Sequence, residues 1–209
     1  MILIGQYDSP FVRRVAIAMA LYGIGFEHRR WSIFGDADLV ARHNPLVRIP
    51  ALVLDDGMVL TDSWAILDEL DDMVGAGRAL MPPTPALRRQ ARAVCALGTG
   101  LADKSVALFY ELRLHAAPAE IWVVRLRRQI VAALAALEAD RAGRATPFWF
   151  GEAISHADIA VACALRFLRD AHGPMFDPKE APALAGHLER CEALAVFRDH
   201  SQPFAPPRA

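Results

Sequence analysis

Two hydrophobic rhythms divide this chain. Up to about residue 80 the apolar positions come in short runs broken by turns; beyond it they recur every three or four residues over long stretches. "MILIG" at 1–5 is an apolar run of strand length. In "SPFVRRVAIAMALYG", Val12, Val15, Ala16 and Met19 share one helical face, and Gly23 is a stop signal. "FEHRRW" reads as a weaker, partly polar strand, and "DADLVARHN" as a short helix with Asp36 near its start. "PALVLDDGMVLTDS" gives two apolar runs joined by Asp55-Asp56-Gly57, a hairpin signal. "SWAILDELDDMV" follows, with Ala65, Ile66, Leu67 and Leu70 at near-helical spacing and Ser63 as the expected N-cap. The predicted order is β-α-β-α-β-β-α. Its βαβ opening requires a parallel pair joined by a right-handed crossover, and the hairpin adds an antiparallel pair. A mixed four-stranded sheet with helices on both faces satisfies these elements.

Gly75, Gly77, Pro82, Pro83 and Pro85 then form a breaker-rich connection. Beyond them nothing reads as a strand. Helical patterns run over about 86–115, 118–142, 155–171 and 182–198, with Pro118 expected in the first turn of its helix. The expected division is a first domain over 1–76, a linker over 77–85 and an all-helical domain over 86–209. Within the second half, "AISHADIAVACALRF" carries Ser155 and, three residues on, Asp158, a capping-box spacing with Asp in place of Glu. Ile154 and Ile159 bracket it as a hydrophobic staple. Capping alone explains this pattern, and no chemistry is assigned to it.

Composition narrows the function classes. The chain has 209 residues, 54% hydrophobic and 22% charged, which describes a core-forming globular protein rather than a disordered one. A formal net charge of −1 gives no reason to expect nucleic acid or an anionic membrane as partner. Cys95, Cys163 and Cys191 are far apart, without a CxxC pair, and the seven histidines show no metal spacing, so no metal centre or dithiol is expected. Cys95 and Cys163 sit in Ala-rich helical patterns, where Cys is ordinarily a small buried residue. The N-terminus lacks the basic region and long apolar core of a secretory signal, and "IVAALAAL" at 130–137 is too short to span a bilayer. A cytoplasmic protein is the expectation.

Candidate chemistry concentrates in "YDSPFVRR", "NPLVRIPAL" and "LTDSWAI". Ser9 stands where a helix begins, as a cap or as a hydroxyl at an anion-attracting N-terminus. Ile49-Pro50 directly precedes a strand, the one strand position where proline costs little; a cis bond there would turn the Ile49 backbone toward a ligand. Asp62-Ser63 opens the third helix with a carboxylate, a hydroxyl and free N–H groups. Taken alone, all three stretches are equally turn and cap chemistry.

The order and spacing of "SPFVRRVAI", "NPLVRIPAL" and "DSWAIL", with "DDG" between the last two and "ISHADIA" in the helical half, resemble the glutathione transferase superfamily over about 1–200. The likeness is to bacterial members with a serine in the activating position. It implies a thioredoxin-like α/β first domain, an all-α second domain and glutathione as co-substrate. The resemblance assigns to Ser9 the hydroxyl that donates to the glutathione sulfur. It pairs the Ile49 backbone with the cysteinyl unit, with Pro50 cis, and sets Arg48 near the peptide's charged ends. Asp62 would hold the γ-glutamyl ammonium and Ser63 its carboxylate; the family's usual residue at the first position is Glu or Gln, one methylene longer. Arg13 or Arg14 is a candidate for positive field near the sulfur, and Tyr7 is a rival hydroxyl, since some members use tyrosine.

The energetics fit such a role. Lowering a thiol pKa from about 8.5 by about two units takes roughly 2.7 kcal/mol. One hydrogen bond to the anion supplies about 1.5–3 kcal/mol and a helix N-terminus about 0.3–1 more. An electrophile site is expected where the halves meet, from the segment 31–34 with Phe34 and from Phe109, Tyr110 and Leu114, with Phe204 of the tail closing over it. The expected function is thiolate attack on a small apolar electrophile, as in detoxification, by a homodimer that packs the first domain of one subunit on the helices of the other. The alternatives are a non-catalytic binding or regulatory member, and a glutathione-dependent isomerase or dehalogenase.

Overall fold

The alternation in Ile2-Leu3-Ile4 defines the two faces of a sheet. A computed structural model, which describes residues 1–206, puts these residues in strand β1 (Ile2–Ile4). Strand β2 (Glu27–Arg29) pairs parallel on one side, β3 (Ala51–Val53) antiparallel on the other, and β4 (Val59–Thr61) lies antiparallel beyond β3. Leu3 stands opposite Leu52. Both pack on helices α1 (Pro10–Tyr22) and α3 (Ser63–Val74) through Val12, Val15, Met19, Ile66 and Leu70. Ile4 and Ala51 face the other way, onto Val40 of the short helix α2 (Ala37–Ala41). The mixed sheet with helices on both faces, expected from the apolar pattern, is the one that forms. Gly23 ends α1 in the left-handed region, at φ 71°. Between β3 and β4, Leu54 donates to the Met58 carbonyl at 2.8 Å and Gly57 turns at φ 89°, as Asp55-Asp56-Gly57 suggested.

The second half is helical: α4 (Pro85–Leu114), α5 (Glu120–Ala142), α6 (His156–His172), α7 (Pro182–Glu192) and α8 (Ala195–Asp199). Two expectations are corrected here. Pro118 lies outside α5, whose N-cap is Ala119; the Ala119 N–H donates to Glu111 Oε1 at 2.7 Å, so a carboxylate from α4 does the capping. The stretch 182–198 is not one helix either. It breaks after Glu192, where Leu194 donates back to the Cys191 carbonyl at 3.0 Å and turns the chain into α8. The core is built round α6, with Leu101, Leu108, Leu126 and Trp149 against it. Ile17 of α1 belongs to this same core, so α1 is buried between the sheet and the helices. Arg13 locks it there, pairing with Glu192 at 2.6 Å and donating to the carbonyls of Phe197 and His200 at 2.8 and 2.9 Å. Cys95 and Cys163 are buried, and burial pushes both thiols up to about 11. Among the described residues, no helix is long and apolar enough to cross a membrane.

A second contact between the halves titrates. His156 Nε2 lies 2.8 Å from Asp71 Oδ1, and the Tyr22 hydroxyl donates to that carboxylate and accepts the Leu80 N–H at 2.9 Å. Burial moves the His156 pKa below its ordinary 6.5, outweighing the pull of Asp71. Burial pushes Asp71 up, but its bonds from His156 and Tyr22 hold it below 3.8. The folded chain therefore takes a proton on His156 less readily than the unfolded chain, so stability is lost as pH falls below about 6.5. Asp71 acts in the same direction at lower pH. We expect Tm to fall between about pH 7 and 5, and to fall less steeply in His156→Gln; calorimetric scans with equal slopes would remove His156 from this account.

Candidate functional site

Three backbone turns bring the polar candidates together. Ser9 is the N-cap of α1, with φ −70° and ψ 122°; its Oγ accepts the Val12 N–H at 3.4 Å, and Pro10 follows as the first helical residue. Accepting that bond leaves the hydroxyl proton free to donate elsewhere, and among the described residues it has no acceptor. Gly5 sets the next approach. At φ 128° it takes a conformation side chains rarely adopt, and a Cβ there would stand 2.5 Å from Val12 and 2.9 Å from the Ile49 Cβ. Only glycine lets the loop before β3 come this close to α1.

That loop is shaped by buried Asn44, which donates to the Arg48 carbonyl at 2.8 Å and accepts the Leu46 N–H at 3.1 Å. Val47 sits at φ 50°, and the Ile49-Pro50 bond is cis. Among the described residues, the N–H and C=O of Ile49 have no backbone partner. The third turn carries a correction. Asp62, not Ser63, caps α3: Asp62 adopts φ 70° and accepts the Trp64 N–H at 2.8 Å, while Ser63 is the first helical residue. Both residue types cap well, and here the carboxylate of Asp62 takes the bond while Ser63 enters the first turn.

These turns border two adjoining cavities. A polar one of about 410 Å³ is lined by Arg48, Ile49, Pro50, Asp62 and Ser63, with Thr99 and Asp103 of α4 opposite. An aromatic one of about 380 Å³ is lined by Ser9, Phe34, Phe109, Tyr110, Phe167 and Phe204. Phe11, Arg48, Ile49 and Asp103 line both, so the two are separated by a shared wall beside the N-terminus of α1. The rings meet edge-on: Phe34 on Tyr110 at 5.4 Å, Phe204 on Phe109 at 5.2 Å and on Phe167 at 5.6 Å. The tail that carries Phe204 is held by Gln202, which accepts the Tyr7 N–H at 2.9 Å, and by Ala205, whose N–H reaches Asp8 at 3.1 Å.

Of the residues singled out from sequence, Ser9, Arg48, Ile49, Pro50, Asp62, Ser63, Phe34, Phe109 and Tyr110 all line one cavity or the other. Leu114 does not. It is the exposed last residue of α4, and five residues beyond Phe109 the helix has turned by about 140°. Tyr7 lines neither cavity: its ring is stacked 3.9 Å from His28, and burial pushes its hydroxyl pKa up. Sequence reasoning missed Asp8, Asp103 and Phe167. The run Asp103, Val106, Ala107, Tyr110 has i, i+3, i+4, i+7 spacing, so a helical-face reading anchored on Tyr110 would have found the α4 members. Among the described residues, no cluster of metal-ligating side chains occurs.

Comparison with known proteins places this geometry. The chain matches the glutathione S-transferase N-terminal domain over residues 8–73 and the glutathione S-transferase C-terminal domain over 113–190. It is 31% identical over 197 residues to the GST-like protein YibF of Escherichia coli, covering 92% of this chain and 96% of that one. The chain belongs to the glutathione S-transferase superfamily. Among solved members, its fold is similar to a glutathione S-transferase of Methylobacterium radiotolerans in complex with glutathione sulfonate, with TM-score 0.88 and 30% identity over 100% of this chain and 99% of the other. A glutathione transferase family member from Pseudomonas fluorescens Pf-5, with bound glutathione, superposes with TM-score 0.82 and 31% identity, covering 97% and 99%. The thioredoxin-like α/β half followed by a helical half is thus a glutathione S-transferase fold.

Proposed function

We propose that this protein is a glutathione transferase in which Ser9 stabilises the glutathione thiolate for attack on a small, uncharged, apolar electrophile. The observation that carries this reading is the uncommitted Ser9 hydroxyl at the N-terminus of α1, beside the wall shared by a polar and an aromatic cavity. In this reading the tripeptide lies in the polar cavity. The unpaired N–H and C=O of Ile49 pair with the cysteinyl unit, as an extended peptide adds to a strand edge. Asp62 faces the γ-glutamyl ammonium, Ser63 its carboxylate, and Arg48 a charged end of the peptide. The sulfur then points past Ser9 into the aromatic cavity, where Phe34, Phe109 and Tyr110 receive the electrophile and Phe204 covers it.

Ser9 need not act as a base. Its O–H and the Phe11 N–H, the one donor of the first turn without a partner among the described residues, favour the anion, and the thiol proton leaves to water. The relatives solved with glutathione sulfonate and with glutathione support the ligand. The chemistry is read from the side chains. The test is calorimetric titration of glutathione into the protein, with the ultraviolet absorbance of the bound thiolate at neutral pH, then conjugation rates over a panel of uncharged electrophiles. Binding with a thiolate signal and turnover is expected. No binding at millimolar glutathione would overturn the reading in favour of a non-catalytic member.

A further inference from the structure

Arg13 and Arg14 are adjacent in α1 and equally buried, yet their electrostatic surroundings differ. Arg13 meets Glu192 in a two-pronged ion pair. Arg14 meets no carboxylate among the described residues. Its Nη1 donates to Ser63 Oγ at 3.3 Å, its guanidinium lies 5.1 Å from the centre of the Trp64 ring, and its Nε is buried without a partner. A guanidinium in this position is costly to bury, and a neutral hydroxyl and an indole face compensate it only in part.

The hydrogen-bond polarity of this contact has a consequence for the polar cavity. A guanidinium can only donate, so Ser63 Oγ must accept from Arg14, and its single proton is then directed elsewhere. Among the described residues that proton has no acceptor. Ser63 lines the polar cavity and is the first residue of α3, whose free N–H groups also favour an anion. The adjacent carboxylate, Asp62, is committed to the Trp64 N–H at 2.8 Å and acts on Arg14 only across space, without contact. A buried cation, an outward hydroxyl proton and a helix N-terminus therefore act with one sign on one point.

We propose that Arg14 is a positioning residue that makes the start of α3 specific for a carboxylate: it holds the Ser63 hydroxyl as a donor into the polar cavity, and the ligand's carboxylate adds to the Ser63 end of this contact the hydrogen-bonded negative charge that no protein carboxylate supplies there. This rests on the glutathione reading and assigns a residue to the recognition of the γ-glutamyl end.

The test compares two ligands on three proteins by calorimetry. The ligands are glutathione and γ-aminobutyryl-cysteinyl-glycine, which lacks only the carboxylate on the γ-glutamyl α-carbon. The proteins are wild type, Arg14→Met and Arg14→Lys. Wild type is expected to prefer glutathione, and Arg14→Met to reduce that preference about tenfold while holding the analogue within about threefold of wild type. Arg14→Lys, which keeps the charge and a donor, is expected to retain most of the preference. Equal weakening of both ligands in Arg14→Met would show a structural role and overturn the proposal, as would an unchanged preference. If neither variant folds, the wild-type protein carries the test by nuclear magnetic resonance. The Arg14 Nε–H signal, assigned through its own side-chain carbons, is expected to move with glutathione and not with the analogue; equal behaviour with both overturns the proposal. Wild type that binds neither ligand overturns the glutathione reading and this one together, whereas wild type that binds glutathione with an Arg14-independent preference overturns this one alone.

Discussion

Ser9→Ala is expected to lower kcat for conjugation by roughly 10- to 150-fold, the range that corresponds to about 1.5–3 kcal/mol for one hydrogen bond to an anion. Glutathione affinity should stay within about threefold, because a thiol ligand that remains protonated loses little when one weak acceptor contact is removed. The two effects separate by mechanism. The peptide is held by Ile49, Asp62, Ser63 and Arg48, which the substitution leaves in place, while the sulfur's charge depends on the O–H at the start of α1. The ultraviolet thiolate signal of bound glutathione at neutral pH should therefore fall in the variant and return as the pH approaches the pKa of the free thiol, about 8.5. Ser9 also caps α1 through a bond of 3.4 Å, long enough that the cap contributes little and the fold should survive its loss. Tyr7→Phe is the matching control. Its hydroxyl faces neither cavity, so kcat should be unaffected. A thiolate signal equal in wild type and Ser9→Ala would transfer the stabilising role to the backbone N–H groups of the first turn.

What sequence could and could not show about this site follows from the range of each interaction. Ser9, Gly23 and Asp55-Asp56-Gly57 act within three or four residues of themselves, and each took the local structure its type favours. The apolar alternation at Ile2-Leu3-Ile4 likewise fixed which helix covers which face of the sheet. The failures involve a competition or a distant partner. Ser63 lost the cap position to Asp62 because two good caps stood side by side, and residue type does not choose between them. The start of α5 moved from Pro118 to Glu120 because Glu111, eight residues before Ala119, supplies its cap. Leu114 was grouped with Phe109 by proximity in sequence, although helical rotation separates them. The two adjacent arginines of α1 could not be told apart at all, since what distinguishes them, Glu192 and Ser63, comes from the two different halves of the chain, each far from α1 in sequence.

The largest stability effect is expected at Asp158, which lies in neither cavity. Its carboxylate is fully buried and accepts three bonds: the Ser155 N–H at 2.8 Å, the Ser155 hydroxyl at 2.6 Å and the Trp149 N–H at 2.7 Å. The capping box expected from Ser155 and Asp158 accounts for the first; the second adds a side-chain bond between the same two residues, and the third ties the segment before α6 to its first turn. Asp158→Ala leaves all three donors in a dry core, and removal of one member of a buried charged network costs about 3–5 kcal/mol. Against a total of about 5–15 kcal/mol for a folded domain, that is a large fraction. Asparagine should rescue only part of the loss. It keeps one acceptor oxygen, but its amide turns N–H groups toward either Trp149 or Ser155, setting donor against donor. The neighbour His187 has its Nδ1 3.9 Å from Asp158 Oδ1, beyond hydrogen-bond reach, and burial moves its pKa below 6.5, so it offers no compensating cation near neutral pH. Urea unfolding at about pH 7 reads these differences as a shift in midpoint at constant slope. Because Asp158 lines neither cavity, kcat per folded molecule should be unchanged in either variant. A midpoint shift equivalent to less than about 1 kcal/mol in Asp158→Ala would mean that water or a relaxed chain meets the freed donors, and would remove Asp158 as the anchor of α6.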